Sequence, residues 1–239
     1  VLLIDADIVA YRCAWMTQEE DEDNAVSTAK HFMYDLVTTA YSKLGVDNED
    51  DMDFVAYLTG KGNYRNDVAV SYPYKGNRKR EKPVHLYAIR QHLIENWDAV
   101  VCNGEEADDR IAIEMTNNPD AIAVSIDKDF LQIPGKHYDM VTGQFTDIDE
   151  TEGLRRFYKQ VLTGDRVDNI IGIKGVGPVK ADKFINPCKT EVEMYNVCKE
   201  QYEKAGMPVE RVIENAQLLW LRRHEEQLWQ PPKEDSGEE

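Results

Sequence analysis

No apolar run in the 239-residue chain approaches the ~20 residues that a membrane-spanning helix needs. Cysteine is scarce: Cys13, Cys102, Cys188 and Cys198 lie far apart, without the paired spacing of a zinc site or a disulfide scaffold. His85, His92, His137 and His224 form no nucleophile or ligand pattern. No internal repeat is present, and "VLLID" reaches an acidic residue too soon for a signal peptide. These absences predict a reduced, cytoplasmic protein and leave no Cys/His set for zinc. An excess of positive charge, the usual footprint of a nucleic-acid binder, is also missing, for the formal charge is −17.

The distribution of charge says more than its sum. Three stretches, "EEDED" (19–23), "DNEDDMD" (47–53) and "EDSGEE" (234–239), hold 14 of the 45 acids. Such runs are solvated loops and, at 233–239, an expected disordered acidic tail. Against them, "YPYKGNRKREK" (72–82) gathers Lys75, Arg78, Lys79, Arg80 and Lys82 around the single Glu81. The protein is acidic on average and basic in one place.

Strand and helix patterns alternate through the first 150 residues. "VLLID", "DFVAYLT" (53–59), "AVVCN" (99–103) and "AIAVSI" (121–126) have the make-up of short buried strands. Helical spacing runs over 25–44, ending at Gly45, and over 84–96, and it begins again near "EEADDRIAIEM". "HYDMVTGQFTDID" has the alternation and central Gly143 of a hairpin. The order predicts a three-layer α/β fold with a mostly parallel sheet. From about 151 the pattern turns wholly helical, with a glycine-rich interruption at 172–177. The expected division is therefore an α/β domain over 1–150 and a helical region over 151–232.

In parallel α/β sheets, chemistry lies just beyond the carboxyl ends of the strands. Three predicted strands end in acid here: Asp5 after the first, Glu106, Asp108 and Asp109 after "AVVCN", and Asp127 and Asp129 after "AVSI". Asp165 and Asp168 in "LTGDRVDNI" form a fourth group. One strand-end aspartate is commonly a cap or turn residue; three clusters on one sheet edge are harder to explain that way. Carboxylates this dense raise one another's pKa values, and divalent cations relieve the repulsion. Mg²⁺ or Mn²⁺ suits such oxygen donors, and two ions ~4 Å apart promote phosphodiester hydrolysis. Asp7 is expected to cap the following helix, Glu105 to be solvated, and Asp109 to orient waters if it is not itself a ligand.

"NIIGIKGVGPVKADKFI" (169–185) places Gly172, Gly175 and Gly177 ahead of a helix, a turn whose exposed N–H groups suit a phosphate. Together "LLID…YR", "YKGNRKREKP", "GEEADD", "SIDKD" and "GDRVDNIIGIKGVG" resemble the 5′-nuclease (flap endonuclease) superfamily, above all the 5′→3′ exonucleases of T-odd bacteriophages. The likeness runs nearly the whole chain in order. It implies that the 1–150 domain is a PIN-like catalytic domain and that 161–186 is a helix-hairpin-helix (helix-three-turn-helix).

Residue by residue, the resemblance implies metal binding at Asp5, Glu106, Asp108, Asp109, Asp127, Asp129, Asp165 and Asp168. It places Tyr11 against a substrate base and Lys75 and Arg78 on the phosphate being cut, with Arg65 a further phosphate contact. Lys79, Arg80, Lys82, Gly175, Gly177 and Lys180 are expected along the DNA, and a K⁺ ion on the carbonyls of Ile173 and Val176. The chain departs from the family at Thr59 and Gly60, where an aspartate is usual, and no acid follows until Asp67. The implied activity is metal-dependent 5′→3′ exonuclease and flap cleavage in phage replication, in the cytoplasm of an infected bacterium. Its partners would be duplex DNA with 5′ ends or flaps, RNA–DNA hybrids and replication proteins, and the chain a monomer. A PIN-like endoribonuclease and a non-catalytic DNA-structure-binding protein stay open as alternatives.

Overall fold

The computed structural model describes residues 1–78 and 81–233, and these form two compact units. Lys79, Arg80 and the acidic end 234–239 lie outside the described residues. The first unit contains residues 1–63, 81–130 and 135–147; the second contains 64–78, 131–134 and 148–233.

The first unit begins with strand β1 (Leu2–Asp5), helices α1 (Ala6–Met16) and α2 (Glu22–Lys43), and strand β2 (Phe54–Thr59). A short helix of the second unit, α3 (Arg65–Val68), interrupts the sequence before α4 (Leu86–Asn96), β3 (Val100–Cys102), α5 (Ala107–Asn117) and β4 (Ile122–Val124). Strands β5 (Gly135–Tyr138) and β6 (Phe145–Ile148) follow. The sheet order is β3-β2-β1-β4-β5-β6, with β1 parallel to both β2 and β4, β2 to β3, and β4 to β5. The connection from β5 to β6 is far too short for a parallel crossover, and Asp139 N–H closes it on the Gln144 carbonyl at 3.0 Å. The fold is α/β and mostly parallel.

Alternation along the strands divides the two faces. Leu2 and Ile4, Ala56 and Leu58, and Ile122 and Val124 enter one core with Val9, Cys13, Met33, Leu36, Ile89 and Leu93 from α1, α2 and α4. Leu3 and Ala123, also buried, point to the other face, and α5 packs on β1 and β2. The chain builds outward from β1 through β2 and β3, then crosses to place β4 on its other side. That reversal opens a crevice beyond the carboxyl ends of β1 and β4, where ligands of doubly wound sheets bind.

The second unit packs α6 (Glu150–Thr163), α7 (Pro178–Ile185), α8 (Glu191–Lys204) and α9 (Val209–Leu219) around Phe157, Tyr158, Leu162, Tyr202 and Trp229. Asp149 and Thr190 cap α6 and α8 through their side chains. The region is not wholly helical as expected. Between α6 and α7 lie the antiparallel strands β7 (Gly164–Asp165) and β8 (Ile170–Ile171). Two glycines permit it: a Cβ on Gly164 would stand 2.3 Å from the Gly172 nitrogen, and one on Gly172 2.3 Å from the Thr163 carbonyl carbon. Among the described residues no helix is long and apolar enough to cross a membrane.

Candidate active site

Asp5, buried, ends β1 at the reversal of strand order. Its Oδ1 caps α1 by accepting from Ile8 N–H at 3.3 Å, and its Oδ2 accepts the Ser125 hydroxyl at 2.9 Å. Ser125 Oγ in turn accepts the Asp127 N–H at 3.0 Å, and Asp127 Oδ1 accepts the Asp129 N–H at 2.9 Å. The two aspartates one residue apart therefore build a turn, in which Asp127 stays exposed at the end of β4. Ser125 joins the ends of β1 and β4; its only sequence signal is a hydroxyl two residues before a strand-end aspartate.

Burial, then the nearby Asp7 carboxylate and more weakly Asp127, push the Asp5 carboxyl up to about 7, against the lowering effect of Ser125 and the Ile8 N–H. A buried carboxyl among like charges is the environment that a divalent cation relieves. Among the described residues no three His, Cys, Asp or Glu side chains already form a cage. These donors fit a hard ion that takes few protein ligands and keeps its waters.

Asp7 is not the cap that its position predicts, because Asp5 performs that function. Asp7 instead accepts the Thr59 N–H at 2.8 Å and is ion-paired with Arg90, which also donates to the Thr59 carbonyl at 2.6 Å. Thr59, one of the two residues standing where an aspartate is usual, accepts the Ala107 N–H at 3.0 Å through its hydroxyl. The end of β2 is thus bonded to the start of α5. Arg90, in the middle of α4, carries no sequence signal for this role.

The acids at the start of α5 divide. Asp108 is half-buried and accepts the Asp109 N–H at 2.7 Å. Asp109 is fully buried and its Oδ2 accepts the Glu106 N–H at 3.4 Å. Its carboxylate closes a capping box on its own helix. Glu105 is buried beside Arg110 at 2.6 Å, not solvated. Glu106 is buried at the N-cap, Tyr11 is exposed on α1, and Lys82 is exposed.

In the second unit, the basic stretch is fastened to the turn between β7 and β8. Asp165 Oδ1 accepts the N–H groups of Val167 (2.7 Å) and Asp168 (3.3 Å) and so shapes that turn. Asp168 meets three side chains: Arg78 at 2.6 Å on Oδ1, the Tyr74 hydroxyl at 2.8 Å on Oδ2, and Lys75 at 3.7 Å on Oδ2. Residues 74–77 form turns and not a helix, with Lys75 at φ 55°. Arg65 corrects another expectation. Only 2% exposed, it donates to the carbonyls of Leu218 at 2.8 Å and Trp220 at 3.1 Å, out of reach of a phosphate.

At the glycine turn, Lys180 Nζ donates to the Gly175 carbonyl at 2.7 Å, and the Ile173 carbonyl accepts the Val176 N–H at 3.1 Å. A Cβ on Gly175 or Gly177 meets nothing within 4 Å. Gly175 has φ +80°, which a β-branched residue resists, whereas Gly177 is extended (φ −104°) and accepts any side chain. Gly177→Val should therefore leave the melting temperature nearly unchanged and weaken binding of a long duplex by roughly tenfold if the phosphate backbone approaches there. Gly172→Ala, where no Cβ fits, should instead lower the melting temperature. Fluorescence anisotropy with a long duplex, beside thermal melts, checks both; unchanged affinity in Gly177→Val removes the turn from the interface.

No family model matches the chain. It is 26% identical to a 5′-3′ exonuclease of Mycoplasma pneumoniae over 212 residues, 75% of this chain and 69% of that protein. It is 32% identical to flap endonuclease Xni of Shewanella frigidimarina over 120 residues, 45% of this chain and 46% of that protein. The match thus spans less than half the length of the Shewanella relative. Among solved structures, the bacteriophage T5 D15 flap endonuclease in a pseudo-enzyme–product complex with DNA and metal ions superposes with TM-score 0.67. That match has 14% identity and covers 91% of this chain and 88% of that one. The catalytic core of Rad2 in complex with DNA substrate has TM-score 0.54 and 18% identity, covering 88% and 64%. At these identities the structural likenesses establish the fold.

Proposed function

We propose that this chain is a 5′-nuclease of the flap endonuclease superfamily, as its likeness to a 5′-3′ exonuclease and to flap endonuclease Xni supports, and that it acts as a divalent-metal-dependent 5′→3′ exonuclease that also cuts flapped duplexes. The observation that carries this reading is the buried Asp5 carboxyl at the end of β1, linked through Ser125 to Asp127 at the end of β4. In the first unit, Asp5, Glu106, Asp108, Asp127 and Asp129 are the residues proposed to hold Mg²⁺ or Mn²⁺; in the second unit, considered by itself, Asp165 and Asp168 are proposed as carboxylate ligands. Divalent ions held there would supply a water of lowered pKa and charge stabilisation for a leaving oxygen.

The protein's own groups do the rest. Ser125 orients Asp5, and Asp7 with Arg90 fixes the end of β2 beside it. Lys75 and Arg78 neutralise charge that develops on the phosphate, and Tyr11 offers a ring for base stacking. The open backbone at Gly175 and Gly177, with Lys180, grips one strand of the duplex without reading sequence. A K⁺ ion on the Ile173 and Val176 carbonyls would extend that grip. Removal of RNA primers from hybrids during phage replication, by a monomer working beside replication proteins, is the setting that fits such an activity.

End-labelled duplex, 5′-flap and RNA–DNA hybrid substrates, each with Mg²⁺, Mn²⁺ or EDTA, test the proposal. Short 5′ products with Mg²⁺ or Mn²⁺, and none in EDTA, are expected. Cleavage that ignores EDTA contradicts the metal mechanism.

A further inference from the structure

The contacts around Asp168 have the form of an occupied anion site. Each carboxylate oxygen is held by a different donor: Arg78 at 2.6 Å on one, the Tyr74 hydroxyl at 2.8 Å and Lys75 at 3.7 Å on the other. Forked recognition of two oxygens by a guanidinium and its neighbours serves carboxylate and phosphate alike. The donors are also held in place without that carboxylate. Lys75 N–H donates to the Asp168 main-chain carbonyl at 2.9 Å, Asn77 to the Arg166 carbonyl at 2.6 Å, and Asn169 to the Pro73 carbonyl at 2.9 Å. The Lys75 ammonium also lies 4.9 Å from the Tyr74 ring centroid. These bonds keep residues 73–78 against the 166–169 turn whether or not the Asp168 side chain stays.

Exposure points to exchange. The Arg78 side chain is 50% exposed, while that of Asp168 is 17% exposed. A partly exposed ion pair is individually weak and open to a competing anion of equal or greater charge.

We propose that Asp168 is a resident stand-in for a nucleic-acid phosphate. Tyr74, Lys75 and Arg78 form a phosphate site, and the Asp168 carboxylate fills it until a phosphodiester displaces it. This rests on the nuclease reading, and it adds a consequence. Without metal, the protein lowers its own affinity for nucleic acid by occupying its phosphate donors. A phosphate that enters the site leaves the Asp168 carboxylate uncompensated, and so ready for a cation.

The test is binding in EDTA, a readout that cleavage does not enter. Anisotropy of a fluorescein-labelled duplex with a single-stranded 5′ overhang would compare the parent protein, Asp168→Asn, Lys75→Ala/Arg78→Ala and the triple variant. Asp168→Asn should bind about tenfold more tightly, the scale of one charge-assisted hydrogen bond set free. In the Lys75→Ala/Arg78→Ala background the same change should gain less than about twofold, because both charged donors are gone and only the neutral Tyr74 hydroxyl remains to be freed. The salt dependence of Asp168→Asn should also steepen by about one for each phosphate contact recovered. Asp165→Asn, which removes a neighbouring charge without touching the donors, measures general repulsion. The proposal is overturned if Asp168→Asn gains nothing over the parent, if its gain persists in full without Lys75 and Arg78, or if Asp165→Asn gains as much. A thermal melt of each variant separates local exchange from unfolding. Because the assay contains no metal, failure of the exchange and absence of nuclease activity would be distinguishable.

Discussion

Asp127→Asn should reduce the single-turnover cleavage rate by about a thousandfold or more, a barrier increase of several kcal/mol. The substitution is close to isosteric. The amide oxygen of the new side chain could still accept the Asp129 N–H, and the main-chain N–H at 127 would still reach Ser125, so the turn after β4 should survive. What disappears is an exposed negative oxygen at the crevice. Substrate affinity should hold or rise, since a charge that repels phosphate has gone. Asp129→Asn is expected to behave alike, and Asp109→Asn differently. A buried carboxylate that caps its own helix should lower stability when neutralised, more than it lowers the rate of the folded enzyme. Rapid-quench kinetics at saturating enzyme, with thermal melts, checks the set. Near-parental cleavage by Asp127→Asn would remove it from the metal ligands.

Lys75→Ala and Arg78→Ala should each lower single-turnover cleavage by roughly ten- to a thousandfold, the range spanned by one donor to a developing charge. Both side chains converge on a single carboxylate, so their positions are already fixed for an anion before substrate arrives. Arg78→Lys should recover only part of the loss, because an ammonium cannot present two parallel N–H bonds. Lys82, exposed and outside that group, should act on encounter. Its removal should weaken binding and flatten the salt dependence by about one, with the rate at saturation unchanged. A salt series at saturating enzyme separates the two behaviours, and identical profiles for Lys75, Arg78 and Lys82 would reduce the stretch to a steering patch.

Asp5, Asp127 and the parallel sheet were legible because short apolar runs ending in acid mark buried strands and the edge where they finish. The order of the strands turned that edge into a crevice. What escaped sequence reading depends on distant partners. Arg65 looks like a surface cation beside a basic stretch, but the carbonyls of Leu218 and Trp220 hold it inside the second unit. Asp7 has the position of a helix cap, yet Arg90 and the Thr59 N–H engage its carboxylate, and Asp5 caps α1 instead. The small strands β7 and β8 are too short for any period to register; only Gly164 and Gly172 mark where two backbones meet. The basic stretch announced its charge, but not that Asp168 already neutralises part of it.

The central claim, that the strand-end carboxylates hold a divalent ion, is tested most directly by the effect of Mg²⁺ on thermal stability at two pH values. Without a cation the folded protein keeps a proton on Asp5 up to about pH 7, whereas the ordinary carboxyl gives it up near 3.8. Ionising Asp5 therefore costs the folded state nothing below about pH 4, progressively more between pH 4 and 7, and the full amount above. A bound cation cancels that cost. Saturating Mg²⁺ should thus raise the melting temperature by roughly 5 °C more at pH 8 than at pH 5. In Asp5→Asn the metal-free protein should melt higher than the parent at pH 8, and the extra Mg²⁺ effect should vanish. A Mg²⁺ shift that is equal at both pH values and unchanged in Asp5→Asn would contradict metal binding at this strand end.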